Sequence, residues 1–409
     1  MFKENKYFGE VWFRDSDNVK CFCVLEIKDG NTHIITNLSA KDTIYQIDII
    51  YGMFNGLGYV TFVNCNIQNN SVGIVETKIY TPKYTFVCAY HFIDPRNLRV
   101  NEFNIDNAAI VKWGRRMNWY NSIEDKVVKQ EDIKHQTVIS ENLTLTLAIS
   151  TLYTSNHDFL RVDSVGSIEF KSQKNLNILE SIELYNSFQK LFHFIYGKSV
   201  QFRAFNFKCI NTGKWASLYY KDDFNKENIS SFITLNYDRI NEDLSKLIKH
   251  WFTNPDITYC ADIIIENLLS VKTSHSRRFT NSYSAFEAYS FKFGKTFKNS
   301  TVEKYLLEHK ELIHTITSIP ENEIKAYVSN IIRHRDFLTH RNRINNNIFS
   351  QFELLYISFL LDYIVSLGLM KHMETSDKVL QKIILRAKST YRDVQSVNKL
   401  LNQDILDDK

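Results

Sequence analysis

The sequence predicts an α+β, multidomain chain: a β-rich first half, sandwich- or barrel-like, followed by an all-helical second half. Two observations carry this. Ten of the 12 glycines lie at or before Gly213, and only Gly294 and Gly368 lie beyond it. Glycine gathers where tight turns are frequent, so the two halves should differ in class. The hydrophobic period also changes, from alternation in the first half to a helical repeat from about residue 240. A chain of 409 residues has room for two or three ordinary domains.

The first half reads as short alternating strands. KCFCVLEIK at 20–28 places Cys21, Cys23, Leu25 and Ile27 on one face. THIITNL, YQIDIIY, YVTFVNCNI, VGIVETKIY, YTFVCAYHFI and LRVNEFNI follow, separated by segments such as DGN, NGLG and QNNS. LTLTLAISTLY and SIEFKS continue the pattern. An amphipathic helix is predicted over about 174–196, ending at Gly197, and strands return at SVQFRAFNFKC and KWASLYY. Helices are then predicted over 240–253, 257–271, 280–293, 301–315, 321–340, 350–371 and 376–400. The polar stretch DDFNKENISS marks the change of class. It divides the chain into a β-rich region at 1–235, itself divisible near residue 120, and a helical region at 236–409.

Composition excludes several classes. An apolar share of 44% excludes a disordered chain. The net charge of +4, from 50 basic and 46 acidic residues, permits an anionic partner but does not argue for one. Six cysteines without a CxxC pair argue against a disulfide framework and for a reducing cytoplasm. The N-terminus lacks the apolar core of a signal peptide, and the run Leu354–Met370 is interrupted by Asp362 and two serines. The expectation is a soluble cytoplasmic protein that does not enter the membrane.

Several local patterns carry no chemistry. Gly52-x3-Gly56-x-Gly58 lacks the Lys-Ser/Thr of a phosphate loop and reads as a β-turn. Cys21-x-Cys23 has no nearby third ligand and reads as a packed pair. His309 and His314 are five apart, one more than a zinc-binding helix needs. The basic runs KWGRR (Lys112–Arg116) and SHSRR (Ser274–Arg278) read as solvated surface.

The informative segment is 324–343, IKAYVSNIIRHRDFLTHRNR. Ile324, Val328, Ile331 and Leu338 form an apolar stripe, and Arg335 falls on it, whereas Arg333 points to solvent. A guanidinium on an apolar stripe needs a carboxylate, a phosphate or an interface, and Glu287 on the preceding Tyr283–Phe286–Glu287 helix is a candidate partner. The residues alone fit a buried Arg335–Glu287 bridge, with His340 as a helix C-terminal residue favoured by the macrodipole. They also fit a site. On a straight helix Arg335 and His340 diverge by about 140°. Convergence then requires unwinding near Thr339 or two copies of the helix meeting across a dyad.

RDFLTHRN (Arg335–Asn342) resembles the R-[polar]-x3-H motif of HEPN ribonucleases, with Asp336 at the polar position. LIKHWF (Leu247–Phe252) and SAFEAYS (Ser284–Ser290) resemble helices of the ApeA-like HEPN branch. The first half is similar to the β-rich N-terminal domain that accompanies it, through Phe8, Gly9 and Trp12, through Gly56–Phe62 and through Val111–Trp113. The resemblance implies an anti-phage, abortive-infection endoribonuclease with a dimeric helical domain and a β-rich sensor or regulatory region that meets a phage-derived trigger. It implies a catalytic set of Arg335, Asp336 and His340, RNA contacts from Arg333, Arg341 and Arg343, and no metal or cofactor; Glu287 stays the structural partner that helical geometry offers Arg335. RNA, tRNA among the candidates, is the implied substrate. Asp336 departs from the commoner Asn and brings negative charge towards RNA phosphate. Two other readings remain open: a non-catalytic RNA-binding or protein-interaction module, and a β-region ligand pocket lined by Trp12, Trp113 or Trp119.

Overall fold

The computed structural model describes residues 5–16, 19–28, 31–39, 46–71, 77–92, 97–106, 108–116, 119–121, 126–128, 131–155, 160–197, 205–210, 212–220, 233–269, 273–294, 301–340 and 348–407. Contacts divide it into two compact units, 1–186 with 200–225 and 187–199 with 226–409. The class change read from the sequence at 235/236 thus has a contact boundary near 225. The second half of one helix, described below, packs with the later helices.

In the first unit, β1 (Asn5–Phe13), β2 (Cys21–Lys28), β3 (Asn31–Thr36), β4 (Gln46–Phe54), β5 (Gly58–Ser71) and β6 (Thr77–Cys88) form a closed antiparallel barrel, ordered β6-β3-β2-β1-β4-β5 and back to β6. Alternation puts Val11, Cys23, Leu25, Ile34, Ile50, Phe62 and Tyr80 inside it. Cys23 is buried as the alternation predicts, but Cys21 at the strand start is only half-buried. A Cβ on Gly9 would strike the Met53 carbonyl and Phe54, so this glycine lets β4 and the Phe54 ring come close. The sequence GLG at 56–58 closes the β4–β5 hairpin, with Gly56 at φ 81° and Gly58 at φ 84°. That is the turn expected there.

The sheet continues from β6 through β14 (Trp215–Tyr220), β13 (Phe205–Cys209), β7 (Arg99–Asp106), β12 (Leu160–Asn177) and β11 (Leu143–Ser155) to β10 (Ile133–Ser140). A separate ribbon pairs β8 (Trp119–Asn121) with β9 (Lys126–Val128), and α1 (Ala108–Gly114) packs on β11 and β12. Helix α2 (Ile178–Tyr196) begins four residues later than its sequence pattern suggests. β12 stays paired with β7 through Asn177, which then caps the helix: its Oδ1 accepts from the Glu180 amide at 2.8 Å.

The second unit is helical: α3 (Tyr237–Ile240), α4 (Leu244–Thr253), α5 (Pro255–Leu269), α6 (His275–Phe293), α7 (Thr301–Glu308), α8 (Lys310–Thr317), α9 (Glu321–His340), α10 (Gln351–His372) and α11 (Asp377–Asp407). The end of α2 joins it. Trp251 of α4 donates its indole N–H to the Ser187 carbonyl at 2.9 Å and lies 5.9 Å from the Phe194 ring. Helix α6 starts at 275 rather than 280 because Ser274 caps it. The helix expected over 301–315 breaks at His309, whose ring bonds back to the Tyr305 carbonyl at 2.9 Å. Helices α6 and α10 pack most extensively, and Gly368 admits the Tyr289 hydroxyl where a side chain would collide with it. Helix α10 runs 22 residues, longer than its uninterrupted apolar run, so it is long and apolar enough to cross a membrane, and 78% of its most apolar window is buried inside the protein. All six cysteines are free thiols.

Candidate functional site

Helix α9 carries the residues singled out by the sequence. Ile324, Val328 and Ile331 are buried, as the stripe predicts. In the last two turns the buried side rotates towards His334, which is fully buried, and leaves Arg335 at the margin with 25% of its side chain exposed. Arg335 is therefore neither sealed nor free. Its Nη2 donates to Glu287 Oε1 at 3.0 Å and its Nη1 to Asp336 Oδ1 at 3.1 Å. The guanidinium lies 5.2 Å from the Tyr283 ring centroid. The sequence named Glu287 as partner, and spacing explains why Tyr283 joins it: residues four apart share a helix face.

Partial burial works against the Arg335 charge, but Glu287 and Asp336 outweigh it, so the guanidinium is held above its ordinary pKa. Burial, with the Glu287 charge beside it, pushes the Tyr283 hydroxyl up as well. The result is a permanent planar cation on an aromatic face with part of its surface open. This is a donor set suited to an oxyanion such as a phosphate.

Arg333, two residues earlier and about 200° around the helix, is exposed on the solvent side predicted for it. His340 is the last residue of α9, and its side chain lies outside the described residues, as do Arg341 and Arg343. The helix stays regular through Thr339, whose hydroxyl donates to the Arg335 carbonyl at 2.8 Å. The backbone directions of positions 335 and 340 therefore diverge by about 140° within one chain. Unwinding near Thr339, one of the two routes to convergence, does not occur.

A second polar cluster escaped the sequence reading. Arg278, in the run read as solvated surface, turns inward from α6: its Nη2 is 3.6 Å from Asp362 Oδ2 on α10, and the two side chains are 17% and 1% exposed. Asn267 of α5 donates to Ser282 Oγ at 2.7 Å and to Asp362 Oδ2 at 3.5 Å. Burial pushes the Asp362 carboxyl up to about 7, against the opposing pull of Arg278, Ser282 and Asn267. The available signal was Asp362 itself, a lone acid in an apolar run, which had to meet a cation somewhere. Among the described residues, no three His, Cys, Asp or Glu side chains group so as to hold a metal ion.

The β unit holds a cavity of about 1050 Å³ whose lining includes Phe13, Arg14, Asn37, Leu38, Gln46 and Asp48. Neither Trp12 nor Trp113 lines it, both being buried, and the Trp119 side chain lies outside the described residues.

A closed β-barrel with a long sheet extension, followed by a helical region bearing a partly open Arg–carboxylate cluster, defines a two-part α+β protein. Residues 6–251 match the family model described as ApeA N-terminal domain 1, and the chain belongs to that family. The match ends inside α4, so LIKHWF falls almost wholly within it, and α5 to α11 lie beyond it. Membership suggests an ApeA-like anti-phage protein. No curated protein and no solved structure matches the chain.

Proposed function

We propose that this chain is an anti-phage endoribonuclease of the HEPN type, acting by abortive infection without a metal. The observation that carries the reading is the half-open Arg335 cation. It is oriented by Glu287, Asp336 and Tyr283 and sits five residues before the His340 that ends α9. Family membership adds the anti-phage setting.

RNA supplies its own nucleophile. A base removes the 2′-OH proton, the 2′ oxygen attacks phosphorus, and the 5′ oxygen leaves with a proton from an acid. The products carry 2′,3′-cyclic phosphate and 5′-OH ends. His340, with an ordinary pKa of about 6.5, suits either proton transfer near neutrality. Arg335 would neutralise charge developing on the phosphate, and Asp336 would hold its fork in plane. The divergence of positions 335 and 340 favours a composite site between two copies, in which the two His340 side chains divide the acid and base duties. Arg333, Arg341 and Arg343 would hold the RNA backbone.

The test is incubation of purified protein with total RNA, with and without EDTA, comparing wild type with His340→Ala and mapping the ends. Cleavage that survives EDTA, leaves cyclic phosphate ends and falls by about 100-fold or more in the variant supports the reading. Cleavage lost on chelation and restored by magnesium refutes it. The Arg335–Glu287 ion pair favours a second reading, a bundle that binds RNA or protein without turnover. That reading gains if RNA is bound but never cut.

A further inference from the structure

His334 precedes Arg335 and is 0% exposed. Its ring lies between 5.6 and 6.0 Å from those of Phe279, Phe337 and Phe349. Its Nδ1 accepts from two consecutive backbone amides, Ile348 at 3.3 Å and Phe349 at 3.2 Å. Both partners are donors, so Nδ1 must be the bare nitrogen and the ring neutral, with its proton on Nε2. The next amide, Ser350, donates to Glu353 at 2.7 Å in the capping box of α10. Three successive amides thus end on side chains at the point where the chain enters α10. His334 lies six residues before the end of α9 at His340, so one imidazole ties the last turns of α9 to the backbone that enters α10.

We propose that His334 is a positioning residue: by holding the Ile348 and Phe349 amides it fixes where the backbone returns after the Arg335–His340 motif, and through that the placement of the groups that meet RNA. This role rests on the ribonuclease reading; the hydrogen bonds do not. An imidazolium would turn Nδ1 into a donor facing two donors. Burial holds the His334 pKa below its ordinary value, against the pull of Glu353, the charged group acting on it from α10. The neutral acceptor therefore persists at physiological pH.

An ordinary core histidine would pack among the same phenylalanines, so the test must separate packing from hydrogen bonding. His334→Leu and His334→Asn give side chains of nearly equal shape, and only asparagine keeps an acceptor near the Nδ1 position. The full-length protein is followed by hydrogen exchange of the 348–350 amides and by kcat and KM for RNA cleavage. The proposal expects the Ile348 and Phe349 amides to be protected in wild type and in His334→Asn but to exchange rapidly in His334→Leu. It expects kcat/KM to fall about tenfold with leucine, as loss of a hydrogen bond's net contribution predicts, and to stay within about threefold with asparagine. Unprotected amides in wild type overturn it without any variant having to fold. Equal activity losses in the two variants overturn it too, because packing alone would then explain them. If wild type neither binds nor cuts RNA, the ribonuclease reading fails and takes the positioning role with it, while the exchange data separately report whether the clamp exists.

Discussion

Among the described residues, the helical region contains two arginine–carboxylate pairs built on the same helix, α6, and they differ in almost every physical respect. Arg335–Glu287 is short, 3.0 Å, and roughly a quarter to a third exposed (25% and 35%). Arg278–Asp362 is longer, 3.6 Å, and its acid is 1% exposed. The open pair keeps its cation charged and reachable. The closed pair holds α6 to α10 and sits where desolvation competes with ionisation. Two arginines that look alike in a sequence are thereby separated into one suited to a ligand and one suited to the fold.

The sharpest way to break this comparison is Arg335→Ala. It should reduce RNA cleavage by about 100- to 1,000-fold, the range for removing a transition-state donor, with little change in the thermal unfolding midpoint. A variant that unfolds but retains activity per folded molecule would reverse the two roles. Next is Arg278→Ala, expected to cost about 3 kcal/mol in denaturant unfolding at pH 8, as breaking a buried pair does. The cost should shrink at pH 5, where Asp362 can take up a proton and no longer needs its cation.

An effect of similar size comes from pH alone. The Asp362 carboxyl titrates near 7 when folded, against an ordinary value of 3.8. A raised acid contributes stability that is fully present below the unfolded value and lost as pH rises through the folded one. Stability of the helical region should therefore decline between about pH 4 and pH 7, and Asp362→Asn should flatten that slope in thermal melts. The smallest expected change is Glu287→Gln, under about 1 kcal/mol because the pair is solvent-screened. A larger loss would mean that the open pair is structural after all.

The same contrast explains what could be read in advance. The Glu287 partnership was legible because a cation on an apolar stripe demands an acid, and few acids lie on the neighbouring helix. Arg278 was missed because a basic run carries no mark of which member turns inward. His334 was missed for a related reason: the stripe passes through Arg335, and only the packing of Phe279 and Phe349 rotates the buried side onto the histidine. The helix starts at 178 and 275 differ from the periodic pattern because caps at Asn177 and Ser274 set them.

Local order was enough to establish the change from strands to helices, the hairpin turn at Gly56 and Gly58, and the stripe that brings Arg335 to the core margin. These follow from alternation, helical period and turn chemistry, which act between near neighbours. Closure of six strands into a ring, the inward turn of Arg278 and the clamp made by His334 required the folded chain. Each joins residues far apart in sequence, and which distant partners meet is decided by the simultaneous packing of all the elements between them.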